Sequence, residues 1–206
     1  MAVLLMNPNT NKNTTATMCQ IAAKVLGTPP LAWTAPEGPS LITTRNDLIA
    51  AGRFIEQVEI PDDIEAIMVS AFGDPGAAAL AARLPIPVVG IGGAAARASA
   101  RPFAVATTTP QLVASIDSLM RTNATGTTYC GCFVSEGEPN ALMESEHLLD
   151  DALLAAVHKA AQAGAQCVII GGGPLGEAAE RLSDQSPLPL ISPIRAAATE
   201  VRALLG

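Results

Sequence analysis

The feature that most constrains this chain is a resemblance between its two halves. Ile67-Met-Val-Ser-Ala-Phe-Gly-Asp-Pro runs into an Ala-rich stretch and then Leu84-Pro-Ile-Pro-Val-Val. Val168-Ile-Ile-Gly-Gly-Gly-Pro runs into a similar stretch and then Leu188-Pro-Leu-Ile-Ser. Matching Ala71 to Gly172 sets an offset of 101 residues, and the same offset carries Ala2–Asn7 onto Phe103–Thr108. Two distant pairs of segments that share one offset imply a duplicated supersecondary unit. Two copies of one unit within 206 residues predict two similar α/β lobes related by a pseudo-twofold axis.

Each copy reads as strand–helix alternation. Short apolar runs at Val3–Met6, Ala66–Ser70, Val88–Ile91, Phe103–Thr107 and Cys167–Ile170 fit buried parallel strands. Helical patterns lie at about Thr10–Leu26, Arg45–Val58, Pro75–Arg83, Pro110–Met120, Ala141–Ala163, Pro174–Leu182 and Pro193–Leu205. Asn9 and Thr10 are suited to cap the first helix, and Asp74-Pro75 reads as an N-cap and first-turn pair. Parallel strands joined by helices make right-handed crossovers. The predicted fold is α/β, with two facing lobes of four parallel strands each. Residues 1–93 with 193–206 form one lobe, and residues 94–192 form the other.

In open α/β sheets, ligands bind beyond the carboxyl ends of the strands. Four such ends carry small or polar residues: Asn7–Thr10, Ser70–Gly73, Thr107–Thr109 and Gly171–Gly173. If the lobes face each other, these loops line one cleft. The candidate ligand contacts are Asn7, Ser70, Phe72, Gly73, Thr107, Thr108 and Gly173, with amides near Phe72–Gly73 or Gly172–Gly173 as anion holders. Pro174 removes one N–H from the second turn. No GxGxxG fingerprint or GxxxxGK[ST] loop is present, so the cleft suits a small anionic or carbonyl-rich ligand rather than a nucleotide.

Twelve Lys and Arg stand against nineteen Asp and Glu, a net charge of −7, with no basic cluster. That argues against nucleic acid and anionic membrane surfaces as partners. The first ten residues lack the basic start and long apolar run of a signal peptide, and no apolar stretch reaches membrane-spanning length. A cytoplasmic protein is expected, and a homo-oligomer is compatible with the sequence. Cys19, Cys130, Cys132 and Cys167 contain no CxxC pair, so no metal site is expected. Cys130 and Cys132, two apart on a strand, should share a face. His147 and His158 belong to no metal or catalytic motif and read as helix-surface residues.

The motifs resemble those of the aspartate/glutamate/hydantoin racemase superfamily, in its hydantoin and allantoin racemase-like branch. They are Asn7-Pro-Asn-Thr10, Phe72-Gly-Asp-Pro-Gly76, Pro87-Val-Val-Gly-Ile-Gly92, Thr107-Thr-Thr109, and the Gly171 turn leading to Glu177-Ala-Ala-Glu-Arg-Leu182. The resemblance implies Rossmann-like lobes and cofactor-independent chemistry beside a carbonyl. In it, one cysteine removes an α-proton and a second reprotonates the other face. It also marks a departure. Racemases of this branch carry cysteine where this chain has Ala71 and again where it has Gly172.

Among substitutes for the missing acid and base, Asp74 lies nearest in sequence, and Glu136 and Glu138 follow the Tyr129–Val134 strand. A glycine at 172 would suit a positive φ. The resemblance therefore implies a binder of a small carboxylate or hydantoin-like molecule. One reading is a cofactor-independent isomerase or lyase that works without two cysteines. The alternatives are a catalytically silent binding homologue and a racemase whose cysteine was replaced by design.

Overall fold

The computed structural model describes residues 2–206. The first half forms β1 (Val3–Asn7), α1 (Lys12–Leu26), β2 (Leu31–Thr34), α2 (Arg45–Gln57), β3 (Ala66–Val69), α3 (Ala77–Arg83), β4 (Val88–Gly90) and α4 (Ile91–Arg97). The second forms β5 (Phe103–Thr107), a 3-10 turn (Pro110–Leu112), α5 (Val113–Asn123), β6 (Tyr129–Val134), α6 (Pro139–Met143), α7 (Glu146–Gln162), β7 (Cys167–Ile170), α8 (Gly176–Arg181), β8 (Leu190–Ile191) and α9 (Pro193–Leu205). These make two parallel four-stranded sheets, ordered β2-β1-β3-β4 and β6-β5-β7-β8.

The two orders are the same path drawn twice, and the hydrogen bonds fix the correspondence. Ser70 N–H donates to Met6 O, and Gly171 N–H donates to Ala106 O, each at 2.8 Å. Ala71 and Gly172 each follow directly, so they hold equivalent places in the two lobes. Ala35 N–H to Asn7 O (2.9 Å) and Ser135 N–H to Thr107 O (2.8 Å) likewise equate Asn7 with Thr107. The offset is therefore 101 at the second turn and 100 at the first, a slip of one residue in the duplicated unit.

Alternation along the strands decides which face each residue buries. In the first lobe, Val3 and Leu5 pack with α1, α4 and α9, while Leu4 and Met6 pack with α2 and α3. In the second, Ala104 and Ala106 face α6, α7 and α8, whereas Phe103 and Val105 face the other lobe. That inner cluster joins Phe72, Ala71, Ile42, Ala95 and Ala96 of the first half to Leu112, Ile116, Met120 and Ile169 of the second. The lobes thus share a core. The last helix, α9, returns to the first lobe and packs on α1 and α4 through Ile194, Ala197, Ala198 and Val201. The boundary expected at 93/94 falls inside α4.

Several local expectations change. Asn11, not Asn9 or Thr10, caps α1, its side chain accepting from Thr14 N–H. Asp74 does not cap the helix that follows it. That helix starts at Ala77, after Gly76 in the left-handed region and without a side-chain cap. The helix expected over 141–163 is two helices, because Ser145 caps α7 and separates it from α6. Cys130 and Cys132 do not share a face. Gly131, at φ 122, forms a bulge that shifts the β5–β6 register, so Cys132 packs toward the inter-lobe core and Cys130 toward the outer one. β2 carries no alternation in sequence, and Leu31 at its edge is exposed.

Candidate functional site

The carboxyl ends of β1, β3, β5 and β7 meet at one cavity of about 40 Å³ between the lobes. Ser70, Ala71 and Phe72 line it from the first lobe; Thr108, Gly171, Gly172 and Gly173 line it from the second. The two turns touch. A Cβ on Gly173 would sit 2.8 Å from the Ser70 carbonyl oxygen, and one on Gly171 would sit 2.9 Å from the Phe72 ring. Glycine is needed at both positions because backbone and ring leave no room for a methyl group. Gly172 is not at positive φ, contrary to expectation; a Cβ there would instead meet the Leu175 side chain at 2.9 Å.

Asn9 and Thr109, from two of the expected strand-end loops, add polar groups to the lining. Leu41, Ile42, Leu112, Ile116, Met143 and Leu175, which the sequence did not single out, build an apolar wall. Pattern reading singled out the strand ends but carries no signal for a wall assembled from a loop, a helix face and α6.

Three expected contacts lie outside the cavity lining. Asn7 is fully buried and serves as scaffold. Its Nδ2 donates to Asn9 Oδ1 (2.9 Å), Asn11 O (3.2 Å) and Thr15 Oγ1 (2.9 Å). This holds Asn9, whose Oδ1 also accepts from Asn11 N–H, at the cavity edge. Thr107 plays the equivalent part in the second lobe. Its Oγ1 donates to Gly171 O (2.8 Å) and lies 3.1 Å from Thr109 Oγ1. Gly73, at φ 122, lines a separate groove with Arg45 and α5.

Two properties define the chemistry. First, the backbone N–H groups of Ala71, Phe72, Thr108, Thr109, Gly172 and Gly173 find no acceptor among the described residues. Buried backbone donors nearly always have partners, so donors free at one cavity form a place for carbonyl or carboxylate oxygens. Second, no Asp, Glu, His, Cys, Tyr, Lys or Arg lines the cavity.

The suggested acids and bases are engaged elsewhere. Asp74 accepts from Gly92 and Gly93 N–H at the start of α4, each at 2.7 Å. Glu136 is exposed and pairs with Lys159; Glu138 caps α6 by accepting from Ala141 N–H. Cys19 lies on α1, Cys167 opens β7, and Cys130 and Cys132 lie on β6. Burial raises the Cys19 and Cys167 thiols, and burial with the Asp117 charge pushes Cys132 up to about 12. His147 and His158 are exposed on α7, His147 beside Asp151. Among the described residues, no group of His, Cys, Asp and Glu is placed to hold a metal ion, and no helix is long and apolar enough to cross a membrane.

Comparison with known proteins identifies the lineage. The family model for Asp/Glu/Hydantoin racemase matches residues 3–201. The chain belongs to the Asp/Glu/hydantoin racemase family. Within it, a hydantoin racemase of Paenarthrobacter aurescens is 27% identical over 216 residues, covering 100% of this chain and 92% of the relative. Allantoin racemase from Klebsiella pneumoniae has the same fold, with a TM-score of 0.88 at 24% identity over 100% of this chain and 87% of that one. Allantoin racemase from Pseudomonas fluorescens also gives 0.88, at 21% identity over 100% of this chain and 91% of that one. The paired sheets of this chain are the racemase architecture.

Proposed function

We propose that this family member holds a small carboxylate or hydantoin-like molecule between its lobes and lacks the side-chain acid–base pair that two-thiol racemases use. The observation that carries the reading is a cavity with unpaired N–H donors and no titratable side chain. The ligand's oxygens would take the free amides of the 71–72 and 172–173 turns. Ser70, Thr108, Thr109 and Asn9 would supply further hydrogen bonds, and the apolar wall would cover the ligand's substituent. Ala71 and Gly172, equivalent across the pseudo-twofold, are the positions that the motif resemblance matches to the family's cysteines. A methyl group and a hydrogen atom cannot move a proton. Each general acid or base is typically worth about 10²–10⁴-fold, so losing both abolishes useful racemisation even where binding survives.

One reaction class needs no base and fits the same cavity. In a cofactor-independent decarboxylation, the bond from the α-carbon to a carboxylate breaks and CO₂ leaves. The electron pair delocalises into the remaining carbonyl, and water supplies the proton. The free amide donors favour this reading, because they would stabilise the developing oxyanion.

The test is a thermal-shift screen with hydantoins, allantoin, dicarboxylates and arylmalonates. Hits are then followed by NMR for α-deuterium exchange and by CO₂ release. Stabilisation by at least one compound is expected, with exchange at the solvent background. CO₂ release would select the lyase. Absence of any shift would remove the binding reading, and rapid exchange would mean that a base outside the cavity lining reaches the ligand.

A further inference from the structure

Asp74 is the only non-glycine residue among those described at positive φ, at 50°. Such a conformation persists when the surroundings over-determine it. Here the surroundings are a glycine cradle. A Cβ on Gly90, Gly92 or Gly93 would lie 2.2, 3.1 or 3.1 Å from atoms of the Asp74 carboxyl group. Each carboxylate oxygen takes one N–H of the first turn of α4, and Gly90, the residue at the cap, has no side chain to do so. Asp74 N–H in turn donates to Ala71 O at 3.0 Å. The residue therefore ties the turn that lines the cavity to α4.

At its other end α4 is tied to both lobes. Arg97 pairs with Glu200 of α9 at 2.8 Å and donates to Asn123 of α5. Helix α5 carries Ile116, part of the opposite wall of the cavity.

We propose that Asp74 is a positioning residue for the cavity: its ionised carboxylate, gripped by the Gly92 and Gly93 amides, holds the Ala71–Gly73 turn in place, and protonation releases it. This rests on the reading of the cavity as the ligand site. A neutral carboxyl group must use one oxygen as a donor, so it cannot accept from both amides as the carboxylate does. Burial pushes this carboxyl group up to about 6, against the two amide bonds and the Arg97 charge; Glu200 raises it further. Arg97 and Glu200 are the charged groups acting on it from α4 and α9. The contacts from α5 and α2 are the uncharged Leu119, against Gly92, and Gly52, against Pro75 and Gly76.

The experiment is a pH titration of the whole ¹⁵N-labelled protein by two-dimensional NMR between pH 7.5 and 4.5. The Gly92 and Gly93 amide resonances should move with one midpoint near 6, and those of Ala71, Phe72 and Gly73 should move with the same midpoint. In Asp74→Asn, that shared transition should be lost. Movement of Gly92 and Gly93 without the 71–73 amides would overturn the proposal, as would the absence of any transition. The wild-type titration decides even if the variant does not fold. A shared transition in a protein that binds none of the screened compounds would leave the coupling standing and remove the function proposed for the cavity.

Discussion

At the scale of single residues, the proposed function turns on two positions, Ala71 and Gly172, which the motif resemblance matches to the family's cysteines. Ala71 and Gly172 flank the cavity from equivalent places, so Ala71→Cys with Gly172→Cys would put a thiol on each side. The expected outcome is solvent deuterium entering the α-carbon of a bound hydantoin in the double variant, at least about 10²-fold above the parent. Each single variant should exchange the α-hydrogen of one enantiomer only, with retention, whereas interconversion of the enantiomers should appear only in the double variant, because inversion needs a base on one face and an acid on the other. The Gly172 half meets the Leu175 side chain rather than backbone strain. If the double variant binds the hydantoin without exchange, the adverse contact at Leu175 can be relieved with Leu175→Ala. Continued inactivity there would show that the matched positions are not those of the acid and base. The residues Asn7 and Asn9 carry the same lesson in reverse. They look interchangeable in the sequence, but only Asn9 reaches the cavity, because β1 ends with Asn7 pointed at Asn9, Asn11 and Thr15.

At the scale of elements, α4 is a short helix made of small residues whose place depends on groups from outside it. Its capping carboxylate comes from Asp74 and its far end is held by Glu200 and Asn123. This sets a pH dependence with a definite sign. The Asp74 carboxyl group sits at about 6 in the fold, above its ordinary 3.8. Its contribution is therefore fully present below about pH 3.8 and is lost as pH rises through 6. Denaturant unfolding of wild type and Asp74→Asn should show their stability difference moving against the wild type by up to about 3 kcal/mol from pH 4 to 7. Glu65, Glu138 and Glu180, held low by hydrogen bonds, drive stability the opposite way, but they are common to both proteins and cancel. A difference that stays flat across this range would mean that the carboxyl group is not held above its ordinary value. The fold keeps an ionised carboxylate at a cost in stability, in line with a role in placing the cavity turn.

At the scale of the whole molecule, the two lobes do not stand alone. Phe72, Ala71 and Ile42 share a core with Phe103, Val105, Ile116 and Ile169, so separating the lobes would expose a continuous apolar face. The first lobe also depends on the last helix, since Ile194, Ala197, Ala198 and Val201 of α9 fill its core beside Leu5, Met18 and Ile91. Truncation after Ser192 removes two fully buried branched side chains and two alanines, and the burial of Ile194 and Val201 alone contributes about 3–6 kcal/mol. With a total domain stability on the order of 5–15 kcal/mol, the truncated chain should unfold near room temperature. Circular dichroism should show the loss spread over both lobes. A second lobe that melts independently and unchanged would contradict the shared core.

Much of this architecture was legible in the residues themselves. The offset between Ala71 and Gly172 pairs positions that the strand ladders also pair, because duplicated chains keep their buried strands and their glycine turns. Periodicity located α2, α9 and the central strands β1, β3, β5 and β7 to within a residue or two, since those strands are apolar on both faces. The edge strand β2, the bulge at Gly131 and the break between α6 and α7 were not legible, because each answers to a neighbour rather than to its own pattern. At the site, Ser70, Ala71, Phe72, Thr108, Gly172 and Gly173 follow from their places at strand ends, which fixes them in sequence order. Leu41, Leu112, Ile116 and Met143 come from segments far apart in the chain, and only the docking of the lobes makes them one wall. The direction of a side chain also belongs to the tertiary structure. Asp74 sits beside the cavity turn in sequence, but the amides of a helix that begins 17 residues later turn its carboxylate away from the cavity.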